Sequence, residues 1–314
     1  MGVLLTSYSL AILIFLLSKN NIYHATSDPL CEAPIPEHAI PIYKEDTDLL
    51  QFALNLEHLE ADYFLWGALG YGLDDITPEL VMEGLPPIGV KKANLDALML
   101  SLRASSMNLD LKKVIKSTVD GFPRPLMDLS AQNFATLIDE AFGKHLEPAF
   151  DPYQDSLKYM IASYVIPYMG LVGYVGANPL INGYVSKRLL AGLLGIESGQ
   201  DAVIRMYLYE RREEIDEPYN YTVAEFTVQI SNLRNRLAKC GIKDEGIIVP
   251  HWLGAENKTE TNVLSADFNS LSYTRTPGEI LRVLYNTGDE HKPGGFYPDG
   301  GDGKIAREFL YKPN

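Results

Sequence analysis

The stretch LNLEHLEADYFLW, residues 54–66, decides the architecture. Its apolar side chains recur at helical spacing, so the segment reads as a helix. Stepped at about 100° per residue, Gln51, Asn55, His58 and Asp62 gather on one side, the expected solvated face. Glu57 and Glu60 fall on the other, among Leu50, Ala53, Leu56, Ala61 and Phe64. A carboxylate facing a core is costly unless it is paired, protonated or bound to a metal. The remaining helices must supply whichever of these applies.

The chain has 314 residues, enough for one large or two ordinary domains. A hydrophobic fraction of 46% with 22% charged residues is that of a folded protein. The net charge of −14, with no run of Lys or Arg longer than two, argues against nucleic acid or an anionic membrane as partner. Nineteen tyrosines suggest a core whose aromatic bodies carry polar tips.

Residues 1–27 read as a secretory signal peptide, with an apolar run at Leu10–Leu17 and the small residues Ala25, Thr26 and Ser27 for cleavage. The first residues lack Lys or Arg, and a retained anchor is the alternative. Secretion would place the protein in the apoplast or cell wall, with no membrane span after processing. It would also allow a disulfide between Cys31 and Cys240, the only cysteines, against the alternative of two separate thiols. The sequons at Asn220 and Asn257 become glycosylation candidates in the same setting.

Residues 28–45 are a Pro-rich, extended lead-in, and 46–240 read as a helical domain. Asp46–Asp48 offers a cap for a first helix ending near Leu69. A long loop over 71–90 precedes a second helical segment over 91–120, and a short helix follows from Ser130 to Phe142. Residues 155–177 carry no charge beyond Met160 but contain Pro167 and several glycines, which favours a helix buried in a bundle over a membrane span. Further helices are expected over 184–212 and 222–239, the latter with Thr222 and Glu225 as a capping box. Residues 241–314 read as an irregular extension packed on the bundle, with one short helix after Thr276-Pro277.

Long helices with inward carboxylates on two of them form the pattern of a ferritin-like four-helix bundle. The second carrier is LLAGLLGIESGQDAVIRMYLYE, residues 189–210, where Glu197 lies among leucines with Gln200 and Asp201 beside it. A two-metal site in such a bundle takes four carboxylates and two imidazoles. Glu-x-x-Gln at Glu197 and Gln200 falls short of the required Glu-x-x-His, and residues 95–116 of the second segment offer only Asp96 and Asp110. The candidate ligands Glu57, Glu60, Glu197 and Gln200 therefore support a single weakly held metal or none. The first reading of Glu57, Glu60 and Glu197 is a polar knot in which they bond Gln200, a tyrosine hydroxyl or Arg205, at least one of them protonated, and the bound metal is the alternative. Phosphate loops and a Gly-x-Ser-x-Gly nucleophile elbow are absent, so no catalytic residue is assigned.

Long strings carry a family resemblance, among them GLPPIGVKKANLD, STVDGFPRPLMDLS, GIKDEGIIVP and GGFYPDGGDGKIA. Over roughly residues 35–310 the chain resembles the plant desiccation-related proteins, a secreted branch of the ferritin-like superfamily. The resemblance implies an all-α ferritin-like bundle, an extracellular setting and an association with water-deficit stress. It also implies a Glu-x-x-His on the second helix, where this chain reads RASSMNLDL over 103–111. The expectation is a secreted, non-enzymatic stress protein with a vestigial metal site and no cofactor, whose partners are cell-wall or other extracellular components. A metal-binding protein or metal-dependent oxidase using iron or manganese is the alternative.

Overall fold

A 26-residue helix, α1 (Lys44–Leu69), runs through the middle of the protein and is buried on almost every side. The computed structural model describes residues 39–96, 115–252 and 260–311, and Ile40–Asn314 form one compact unit. The signal segment 1–27, Cys31, Asn257 and the divergent stretch 103–111 lie outside the described residues. Around α1 stand α2 (Ala131–Phe142), α3 (Ser156–Ser163), α4 (Pro167–Ala177), α5 (Tyr184–Glu210), α6 (Val223–Ala238), α7 (Pro277–Leu284) and α8 (Lys304–Tyr311). A two-residue ribbon, Ile215–Asp216 against Tyr221–Thr222, joins α5 to α6. This is the all-α, ferritin-like arrangement expected, with α4 packed chiefly on α5 and α1.

Local chemistry sets the helix ends. Ser130 accepts from Asn133 N at the start of α2, and Gly143, at φ 66°, closes it in the left-handed region. Thr222 with Glu225, and Thr276 with Glu279, form reciprocal capping boxes at α6 and α7. Asp46 does not cap α1 itself. It lies three residues inside, accepts from Tyr43 N, and also accepts from Asn182 N at 2.9 Å and Gly183 N at 2.7 Å. Burial works to raise this carboxyl, but the amide donors outweigh it and hold it below the usual range.

Four expectations need correction. Asn55, His58 and Asp62 are not solvated; each is at most 2% exposed. Asp62 is paired with the buried Arg124 at 2.9 Å and accepts from Leu73 N. Asn55 bonds both the N–H and the carbonyl of Asp302, so the C-terminal extension covers the side that the helical wheel left to water. Residues 91–96 are not helical, and helix is described in that region only over 115–119. The single apolar helix of residues 155–177 is two, because Pro167 lacks the amide that would continue α3 and instead starts α4. The span Ser156–Leu180 is long and apolar enough to cross a membrane, but 78% of its most apolar window is buried inside the protein. The extension holds a second helix, α8, which packs on α1, in addition to the expected α7.

Candidate metal centre

Helical spacing on α1 puts Glu57 and Glu60 almost one turn apart on the face toward α4 and α5. Both are 2% exposed, and Glu197 of α5 is 1% exposed. The gap that lets them meet belongs to α4. A Cβ built on Gly170 would lie 2.9 Å from Glu197 Oε2 and 3.4 Å from Glu60 Oε1. The two carboxylates thus converge over a glycine backbone, in space that any larger residue would fill. One turn on, Tyr174 Oη donates to Glu57 Oε1 at 2.7 Å.

The electrostatics follow from this crowding. Burial first, then the Glu60, Glu57 and Asp201 charges, push the Glu197 carboxyl well above its ordinary value. Neither Glu197 oxygen has a hydrogen-bond donor among the described residues. Burial and the neighbouring Glu57 and Glu197 likewise raise the Tyr174 phenol, so it remains a donor. Gln200 is buried one turn beyond Glu197 on α5. Asp201 acts on Glu197 only through its charge: Arg205 Nε holds it at 2.7 Å, within a cluster where Arg205 and Arg234 stack on Tyr164 and Tyr168. Asp244 neutralises Arg234 there, and Arg275 lies nearby.

All four expected ligand positions are therefore buried; Glu60 and Glu197 meet over Gly170, with Glu57 nearby and bonded to Tyr174. The sequence missed Gly170 and Tyr174. Their signal was an i, i+4 pair on an uncharged helix, legible only once α4 is known to face both acidic helices. Of the other expected sites, Cys240 is exposed with Arg282 Nη1 3.7 Å from its sulfur. Asn220 is exposed at the turn of the ribbon with φ 59°.

Residues 45–210 match the family model described as the ferritin-like domain. The chain belongs to the ferritin-like family. Within it the chain groups with the plant desiccation-related proteins: it is 51% identical to the desiccation-related protein PCC13-62 of Craterostigma plantagineum over 84% of this chain and 85% of that one. It is 57% identical to the ferritin-like catalase Nec2 of Nesocodon mauritianus, over 96% of this chain and 98% of the relative. No solved structure gives a significant match.

Proposed function

We propose that this is a secreted ferritin-like protein of water-deficit stress whose core holds one iron or manganese ion and consumes hydrogen peroxide. The observation that carries the reading is the convergence of Glu60 and Glu197 over Gly170, with neither Glu197 oxygen given a donor by the described residues. Buried carboxylates brought together in a low-dielectric core need a cation or protons to be stable there. Three glutamates offer hard oxygen ligands and enough negative charge for one divalent ion. They do not suffice for two, because the family's paired site needs further carboxylates and imidazoles.

When bound, a redox-active ion supplies the electron exchange that turns two molecules of hydrogen peroxide into two of water and one of dioxygen. The name of the 57% identical relative supports that chemistry. The chain's own groups do the rest. Tyr174 holds a proton against Glu57 and orients that carboxylate. Glu197, kept protonated by its neighbours, surrenders its proton when a cation arrives, so uptake should release acid.

The test is elemental analysis of secreted, tag-free protein exposed to iron, manganese and zinc, alongside Glu57→Ala and Glu197→Ala. One ion per chain, lost in both variants, with oxygen evolved from peroxide, supports the reading. A metal-free protein with a cooperative melt supports a second one, a non-enzymatic stress protein with a degenerate site. Gln200 favours that second reading, since it stands where two-metal bundles place the imidazole of Glu-x-x-His. Cell-wall partners, glycosylation at Asn220 and Asn257, and a Cys31–Cys240 disulfide belong to the secreted setting. They are tested by retention on wall polysaccharides and by intact-mass analysis.

A further inference from the structure

A small cavity lies against the carboxylate centre, between α1, α4 and the C-terminal extension. Its walls include Leu56 of α1, Gly170, Gly173 and Tyr174 of α4, and Arg275 and Ile280 from the extension. Two of these touch the centre: Tyr174 through its bond to Glu57, and Gly170 through the two carboxylates that close on its backbone. The cavity measures about 30 Å³. A buried water requires roughly 10–15 Å³ by the same measure, so water, peroxide or dioxygen fits and an organic molecule does not.

Three features set its shape and hold the extension against it. A Cβ on Gly173 would meet Ile280 Cδ1 at 2.8 Å, so these residues face each other across the gap. A Cβ on Gly176 would strike the Arg275 carbonyl at 2.4 Å, so glycine in α4 is what lets the extension lie this close. Arg275 is 1% exposed, donates from Nη2 to Asn235 Oδ1 at 3.0 Å and pairs through Nη1 with Glu279 at 3.7 Å, which anchors this part of the extension.

We propose that this cavity is the passage by which hydrogen peroxide reaches the carboxylate centre. Gly173 and Ile280 set its width. The inference rests on the metal-centre reading above and assigns the extension, which lies outside the matched ferritin-like domain, a part in substrate access.

The test uses the full-length secreted protein, as wild type, Gly173→Val and Ile280→Phe, the last two narrowing the passage from opposite walls. Metal content, kcat/KM for hydrogen peroxide and xenon occupancy in pressurised metal-free crystals are measured on each. The expected result is equal metal content, a loss of about tenfold or more in kcat/KM, and xenon in the wild-type cavity only. Narrowed variants that keep wild-type kcat/KM at equal metal content overturn the passage and leave the metal centre standing. A wild type that binds no metal or evolves no oxygen overturns the centre instead. Xenon then decides the passage independently: wild-type occupancy lost in both variants supports it, and an empty wild-type cavity refutes it.

Discussion

Tyr174 Oη donates to Glu57 Oε1 across 2.7 Å of buried interior, tying the uncharged α4 to the acidic face of α1. Tyr174→Phe keeps the ring and removes the donor. A buried acceptor that loses its partner costs about 1–3 kcal/mol. Urea unfolding of the metal-free variant should show that loss with an unchanged m value.

Glu197 makes the stability of the metal-free protein pH-dependent. Its folded carboxyl titrates well above the ordinary value of 4.5. Below that value both states are protonated and there is no penalty. As the pH rises further, the unfolded chain releases the proton while the folded chain keeps it. Folding then loses about 1.4 kcal/mol per pH unit until the buried carboxyl ionises. Glu197→Gln should remove this slope and be more stable than wild type at pH 7, as read by chemical denaturation across pH 4–8. Bound metal should flatten the wild-type slope in the same way.

Gly170→Ala puts a methyl group where Glu197 Oε2 would be 2.9 Å away and Glu60 Oε1 3.4 Å away. The carboxylates must separate, so metal affinity should fall by about tenfold or more while the helical melt is retained. Calorimetric titration with manganese measures the first and circular dichroism the second.

Arg124 is fully enclosed and bonds Asp62 and Asp74 together. Arg124→Ala leaves Asp62 charged and buried, at a cost of about 3–5 kcal/mol. Adding Asp62→Asn should recover a large part of that loss, and a double-mutant cycle in urea gives the coupling.

Apolar period and capping residues together were enough to place α1, α2, α5 and α6, and the cap with its following proline placed α7. Capping residues marked three of their starts correctly: Ser130, Thr222 and Thr276. Of the candidate site, Glu57, Glu60 and Glu197 could be read directly, because a carboxylate among leucines at helical spacing is conspicuous. Asn55, His58 and Asp62 were misread for a physical reason. A helical wheel assumes one wet face, whereas α1 is surrounded, and its polar side chains bond Asp302, Leu73 and Arg124 from distant parts of the chain. Helix α8 was missed because eight residues after a run of glycines give too little periodicity against so strong a turn signal.

The sequence by itself determined the helical class, the family and the two helices that bring carboxylates inward, since each follows from residue type and spacing along one segment. Only the tertiary structure decided that Gly170 opens the space where those carboxylates converge and that Tyr174 bonds one of them. The same is true of Arg275 and Ile280, which the extension brings back against that space. These relationships join residues more than a hundred positions apart, or depend on an absent side chain, and no local periodicity encodes either.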